Sequence, residues 1–460
     1  MTGRPRHLSI VPDPGGTRVV VLADGDAWRL PAHEHTDAAD INAGLRARLG
    51  FDVVTTGCVR MLGDVRDTAT PQVFGHWHRG PDLPLPAGAR WIDPTDVESL
   101  PFAVAEERVV LRDWFAERKR GATPLGRLPW AHEDWYDEAA EWCRARLTAL
   151  GRTVTGPVEQ VYARPWSCTL RVPTSAGFAY FKAVVPCFGH EPPLAEALAV
   201  WFPDDVPAVL AVDRARDWML TADFSPYEEM VPTDERFDAF AGAVRRYVEL
   251  VRAAGPRADE LVALGCPDRR LAVVPALFED LLTDGEILRV DREGGVTAAE
   301  YDGLLEFARG LPDVCDRLAA YGLPETVQNI DFWHGNIAFT PTGPVYYDWS
   351  EAVVAHPLAA LRMFLFGARF RNPDAAEVRN RLLDVFLGCW ESYAAPEELR
   401  EAYRLAQPIG IIARALCWRA TAAHLEPERR FLMAHSVPNN MRFLLDWAAA
   451  SASRSIYDLV

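Results

Sequence analysis

The chain has 460 residues, 49% of them hydrophobic and 25% charged, and a formal net charge of −17. That length points to two or three domains, because single cores rarely grow past about 250–300 residues. The acidic balance argues against nonspecific binding to nucleic acid or to an anionic membrane and suits a cationic small substrate, while solubility alone is the simpler explanation.

Residues 1–105 read as short strands with one helix. "TRVVVLADGDAWRLP" gives two strands around an Asp-Gly turn, and "VVTTGCVRML" gives another strand. Between them "TDAADINAGLRARLGF" predicts a helix with Thr36 or Asp37 as its cap. His33, Glu34 and His35 are adjacent, and neighbours on an extended chain point apart, so they read as loop rather than metal ligands. "GPDLPLPAGARWIDPTDVESLP", rich in Pro and Gly, reads as loop and as the edge of a unit. Residues 106–152 form a helical linker, in which "GATPLGRLPW" joins "VAEERVVLRDWFAERKR" to "EDWYDEAAEWCRARLTAL".

From Thr153 the period changes. "GPVEQVYA", "CTLRVPT" and "FAYFKAVV" predict three antiparallel strands joined by tight turns. "EPPLAEALAVWF" follows as a helix with Pro near its start, where a missing N–H is tolerated. "AVLAVDRARDWMLTADF" adds two strands, so residues 153–223 make a small five-stranded sheet with one helix. Residues 224–460 are mostly helical. Helices fit "DERFDAFAGAVRRYVELVRAAG", "PLAALRMFLFGARF", "RNRLLDVFLGCWESY" and the stretch from Pro408 to Ala449. "TAAEYDGLLEFARGL" carries a capping box in Thr297 and Glu300. "NIAFTPTGPVYYDW" predicts two short strands broken at Pro-Thr-Gly-Pro. Eight cysteines without a CxxC pair indicate neither a zinc site nor a disulfide framework. The opening "MTGRPRHLSIVPDPGG" lacks a signal-peptide core, and no apolar run approaches the ~18–20 residues of a membrane helix. A cytoplasmic protein with reduced thiols is expected.

Of 48 basic residues only two are lysine, Lys119 and Lys182. Lys119 lies in "ERKRG", a polar helix end where Arg would serve equally. Lys182 lies in "GFAYFKAVV", inside an apolar strand, where a charge needs a partner. In a chain so biased toward Arg, this marks a site wanting a compact ammonium rather than a planar fork. Chance, or a snorkelling strand residue, is the alternative.

Asp331 and Asn336 stand five apart in "NIDFWHGN", and Asp348 in "YYDWSEA" follows twelve residues later, after the hairpin. Phosphoryl transfer from ATP needs oxygen ligands for Mg²⁺, a carboxylate for the incoming hydroxyl, a cation at the phosphates and an apolar slot for adenine. With the upstream strand lysine, residues 155–450 resemble the aminoglycoside phosphotransferase and choline-kinase-like family, which shares the protein-kinase fold. The resemblance implies an α+β, bilobal protein-kinase-like fold with a small five-stranded N-lobe and a helical C-lobe, here preceded by a small α+β accessory domain. It implies ATP and Mg²⁺ as cofactors, Asp331 as catalytic base, and Asn336 and Asp348 as magnesium ligands. It assigns Lys182 to the α/β phosphates, with Glu191 as its carboxylate partner and Glu196 as the fallback. "WMLTADF" is similar to the hinge, so backbone groups from Leu220 to Ala222 would hold adenine. As mere turn formers and a strand cap, Asp331, Asp348 and Asn336 would need no chemistry, but their joint spacing with Lys182 weighs against that.

The chain departs from the family pattern in three places. The family's His two places before the base is Asn329, which still offers hydrogen bonds to support the loop. His334 matches no family catalytic position and is expected to pack or hydrogen-bond within the loop, with contact to substrate as the alternative. The turn "ARPWSC" lacks the glycines that let backbone approach phosphate, leaving the Ser167 hydroxyl and the Arg164 charge as candidates. Residues 1–105 resemble a Nudix-type fold through "WRLP" and the helix ending "RLGF". The metal-binding positions of that helix hold Gly44, Ala47 and Arg48, so the domain is expected to be a silent accessory that gates the cleft or forms a homodimer surface.

These residues together point to an ATP- and Mg-dependent phosphotransferase acting on a hydroxyl of a small molecule: an aminoglycoside, amino sugar, macrolide or other metabolite. Two alternatives stand beside it. One is transfer to Ser or Thr of a biosynthetic peptide. The other is a pseudokinase that binds nucleotide without turnover, which Asn329 and the glycine-poor loop favour. Glu351, Glu391 and Glu426 are candidates to meet a cationic acceptor, with solvated surface as their ordinary reading.

Overall fold

A computed structural model describes residues 6–365 and 376–450, apart from 65, 66, 68, 82 and 122. By contact the chain falls into two compact units, Met1–Val185 with His424–Leu432, and Pro186–Ala423 with Met433–Val460.

The first unit opens with strands β1 (His7–Ile10), β2 (Val19–Asp24), β3 (Ala27–Arg29) and β4 (Ala32–His33), then helix α1 (Ala38–Leu49). Strands β5 (Asp52–Met61), β6 (Gln72–Arg79) and β7 (Ala89–Ile92) follow. They form one sheet in the order β4-β1-β6-β5, with β1 parallel to β6, and a second in the order β3-β2-β7. Strand β2 reads as a continuous apolar run because both of its faces are buried. Val19 and Val21 join a core with Val110, Leu111 and Phe115, while Val20 and Leu22 join one with Ile41, Leu45 and Leu49 of α1. Helices α2 (Pro94–Ser99), α3 (Ala105–Arg120) and α4 (Trp135–Ala149) come next, then the antiparallel strands β8 (Glu159–Ala163), β9 (Ser167–Thr174) and β10 (Gly177–Val184).

Two local expectations change. The Pro- and Gly-rich stretch after Arg79 is not all loop, since β7 pairs with β2 and α2 carries a capping box in which Asp93 and Asp96 answer each other. Four residues are too few to show a period, so β7 was invisible until its partner was known. His33 is likewise strand rather than loop, paired with His7 on β1.

In the second unit α5 (Glu191–Trp201) precedes the hairpin β11 (Val209–Asp213) and β12 (Trp218–Ala222). Helix α6 (Phe237–Ala254) turns Phe240, Val244, Tyr247, Val248 and Val251 inward at helical spacing. Then come α7 (Ala258–Ala263), β13 (Asp268–Arg269), α8 (Val274–Leu282), α9 (Gly285–Leu288) and α10 (Ala298–Ala319). The Thr297–Glu300 capping box opens α10 as expected. Strand β14 (Thr326–Asn329) leads into the central loop, the hairpin β15 (Ile337–Thr340) and β16 (Gly343–Tyr346), and β17 (Ala352–Ala355). The order β13-β17-β14 puts β14 at the edge of a small sheet. The helix expected over 357–370 is a short turn at Pro357–Ala359 and helical from 361, while 366–370 lie outside the described residues. The helices Ala376–Gly388, Pro396–His424 and Ser436–Ala450 complete the unit, and the middle one starts well before Pro408, which it contains. All eight cysteines are free. Among the described residues no helix is long and apolar enough to cross a membrane.

Candidate active site

The loop after β14 is built on α6. The Tyr247 hydroxyl accepts the Asn329 N–H at 3.0 Å, and its ring stacks on Phe332 with centroids 3.9 Å apart. Asn329 then joins two segments. Its side-chain oxygen accepts the Asp331 N–H at 3.0 Å, and its amide nitrogen donates to the Asp348 carbonyl at 2.8 Å. The loop support expected of Asn329 is therefore present. The Asn336 amide nitrogen donates to the Asp331 carbonyl at 3.0 Å and to its carboxylate at 3.2 Å. Asp331, Asn336 and Asp348 thus belong to one hydrogen-bond network.

Asp348 sits in the left-handed region, at φ 59°. Few residues other than glycine accept that conformation, and Asp and Asn are among them. The Ser350 hydroxyl donates to its carboxylate at 2.8 Å. The next N–H, that of Trp349, donates to Glu191 at 3.0 Å, so the buried carboxylate at the start of α5 is tied to the Asp348 segment.

One residue was not foreseen. Arg414, on the helix Pro396–His424, donates from one guanidinium nitrogen to Asp331 at 2.9 Å and to Glu351 at 3.1 Å. Glu351 is buried, not solvated surface as its sequence context suggested. Burial pushes Glu351 above the usual carboxylate range and Arg414 opposes it. Burial likewise raises Asp331, against the pull of Arg414. The cause is desolvation, which penalises the charged form of each acid. No sequence signal pointed to Arg414, since it follows Asp331 by 83 residues and stands in no motif of its own.

The donor set at Asn336 and Asp348 fits a small hard cation. Mg²⁺ takes one or two oxygens from protein and the rest from phosphate and water. Asn336 commits its nitrogen to Asp331, which leaves its oxygen for a cation, and Asp348 would supply an anionic oxygen.

Other expected residues fall as follows. Lys182 stands on β10 in the first unit, opposite Thr169 of β9. Ser167 begins β9, is buried, and accepts the Arg164 N–H on its carbonyl at 2.8 Å. Arg164 is not an uncommitted cation for phosphate, because its guanidinium is paired with Asp37. Leu220 is buried in β12, and Ala222 donates its N–H to the Ala208 carbonyl at 2.8 Å, so that donor is not available to adenine. His334 is buried in the loop with its ring 4.8 Å from that of Trp333, as packing required. Glu391 is exposed. Glu426 is not surface, being buried in the first unit with Arg127 at 2.7 Å.

No family model and no curated protein matches the chain. Solved structures that the chain resembles at a distance include a choline kinase from Streptococcus pneumoniae, 12% identical, TM-score 0.46, covering 68% of this chain and 99% of that one. A choline/ethanolamine kinase family protein from Mesorhizobium loti is 20% identical at TM-score 0.43, covering 68% and 100%. An aminoglycoside phosphotransferase from Streptomyces rimosus, in complex with ADP and streptomycin, is 18% identical at TM-score 0.37, covering 60% and 98%. These likenesses are distant.

Proposed function

We propose that the chain is an ATP- and Mg²⁺-dependent phosphotransferase that moves the γ-phosphoryl group to a hydroxyl of a small molecule. The network joining Asp331, Asn336 and Asp348 supports this above all. It holds a carboxylate at the end of β14, aimed by Asn336 on one side and Arg414 on the other.

In this reading the acceptor hydroxyl oxygen attacks the γ-phosphorus, the bond to the β-phosphate oxygen breaks, and ADP leaves. Asp331 takes the hydroxyl proton as attack proceeds. Burial raises its pKa, which makes it a stronger base than an ordinary aspartate. Asn336 and Asp348 would hold Mg²⁺, which would neutralise phosphate charge when bound. Lys182 remains the proposed contact of the α/β phosphates, and Glu191 the carboxylate that goes with it. Asn329 keeps the loop in place, which removes one of the two grounds for a scaffold without turnover.

The acceptor is proposed only as a class: aminoglycoside, amino sugar, macrolide or related metabolite, with a peptide Ser or Thr as the alternative. A panel of these assayed by ATP consumption identifies it. Asp331→Asn should then lower kcat by about 10²–10⁴-fold while leaving Mg·ATP affinity within about twofold. Near-normal turnover in that variant removes Asp331 as the base.

A further inference from the structure

The first unit contains a set of bonds that the chemistry above does not use. Strand β5 lies at the edge of its sheet, so some of its backbone groups have no strand beside them. At Thr55 the primary amide of Gln160, on β8, fills that place. The Thr55 N–H donates to the Gln160 oxygen at 2.8 Å, and the Gln160 nitrogen donates to the Thr55 carbonyl at 2.8 Å. One side chain thereby stands in for a paired strand. Asn42 of α1 donates a third bond to the same Gln160 oxygen at 3.1 Å, and the Thr55 hydroxyl donates to Asn42 at 2.7 Å. Gln160 and Thr55 are 5% and 1% exposed.

Four residues after Gln160 the chain is held again, where Arg164 pairs with Asp37. Asp37 is the N-cap residue of α1, yet its side chain caps no helix N–H. An Asp at that position ordinarily caps its own helix; here the carboxylate is turned to Arg164 instead. The loop between β8 and β9 is thus anchored on its β8 side by Gln160 and near its tip by Arg164.

We propose that α1 and β5 form a fixed scaffold for the β8–β9 loop, with Gln160 and Asp37 as positioning residues for nucleotide phosphates. This rests on the phosphotransferase reading, in which that loop covers the phosphates. A glycine-rich loop reaches phosphate through backbone freedom. "ARPWSC" has no glycine, and Pro165 fixes its own φ. Anchoring from outside supplies the order in advance, so less freedom is lost when nucleotide binds. The N-terminal region then has a role that needs no metal site of its own.

The test compares wild type, Asp37→Ala, Asp37→Glu and Gln160→Met in the full-length protein. Hydrogen exchange of residues 162–168 is measured without ligand, Mg·ATP affinity by calorimetry, and the acceptor KM by turnover. Asp37→Ala should speed exchange and weaken Mg·ATP about threefold to fivefold, a small effect because the ion pair is partly exposed. Asp37→Glu should restore both. Gln160→Met should move both readouts at least tenfold, because it leaves a buried N–H and C=O unmet. The acceptor KM should not change. Unchanged exchange in Asp37→Ala overturns the scaffold, and that pair decides the matter alone if Gln160→Met does not fold. Faster exchange with unchanged Mg·ATP affinity overturns the positioning role. Faster exchange in Asp37→Ala together with a wild type that binds no Mg·ATP overturns the phosphotransferase reading and the positioning role with it, while the scaffold stands.

Discussion

Burial and the Arg414 cation act in opposite directions on how the candidate base titrates. Burial raises Asp331 and the guanidinium holds it back, so removing the guanidinium lets the pKa rise further. Arg414→Met should therefore move the acidic limb of the kcat/KM profile to higher pH and lower kcat about 10–100-fold through lost orientation. Arg414→Lys should restore part of the limb position but not all of kcat, since an ammonium cannot hold both acids with the same geometry. An unshifted pH profile in Arg414→Met would mean that the arginine only packs. Lysine scarcity gives a second prediction at this scale. Lys182→Arg should weaken Mg·ATP and cut turnover by about tenfold or more, because a planar fork does not fit where an ammonium is expected to meet phosphate. Lys119→Arg should change nothing measurable, since Lys119 is exposed in the last turn of α3. Equal behaviour of the two variants would sink the argument from composition.

At the scale of the element, the turn after β16 carries its functional group in a strained backbone. Asp348 adopts φ 59° between its bonds to Asn329 and Ser350. Asn tolerates the same region and keeps a side-chain acceptor, whereas Ala does neither. Asp348→Asn should keep wild-type thermal stability yet weaken Mg·ATP about tenfold or more, because a hard cation loses an anionic oxygen. Asp348→Ala should weaken Mg·ATP similarly and also destabilise by about 1 kcal/mol. Calorimetry with and without Mg²⁺, beside thermal melts, separates the two effects. An unchanged magnesium dependence in Asp348→Asn would take Asp348 out of the metal site.

At the scale of a whole compact unit, a buried polar chain makes the N-terminal one sensitive to acid. The Ser9 hydroxyl lies 3.1 Å from His33 and 2.9 Å from His76, and His76 lies 3.2 Å from the Thr55 hydroxyl that meets Asn42. Burial holds His33 down to about 4 and His76 to about 3, from an ordinary 6.5. A depressed histidine contributes its full stability above pH 6.5 and loses it as pH falls, because the unfolded chain takes the proton first. Buried Glu107, raised by desolvation to about 7, acts with the opposite sign between about 4.5 and 7. Burial also lowers His7 and His132 and raises Glu426, so among the described residues of this unit four depressed histidines stand against two raised carboxyls, and the urea midpoint should fall between pH 7 and pH 4.5. His76→Gln should lose less over the same interval. A midpoint loss equal to wild type in that variant would show that His76 does not drive the transition. The same unit bears on whether residues 1–105 are separable, since Gln160 and Arg164 tie strand β8 and its loop to α1 and β5.

What the sequence determined by itself was local. The spacing of Asp331, Asn336 and Asp348 around a Pro-Thr-Gly-Pro turn was readable because eighteen residues hold all three, and a hairpin fixes their separation. The periods of α3, α4, α6 and α10, and of strands β8 to β12, were readable for the same reason: alternation and helical spacing are properties of consecutive residues. Tertiary structure decided the rest. Arg414 with Asp331, Trp349 with Glu191, Gln160 with Thr55 and Arg164 with Asp37 are joined across 83, 158, 105 and 127 residues. It also decided that Glu351 and Glu426 are buried and that Ala222 has already given its N–H to Ala208. Burial and ion pairing follow from which surfaces pack together, and packing brings together residues at no fixed separation along the chain.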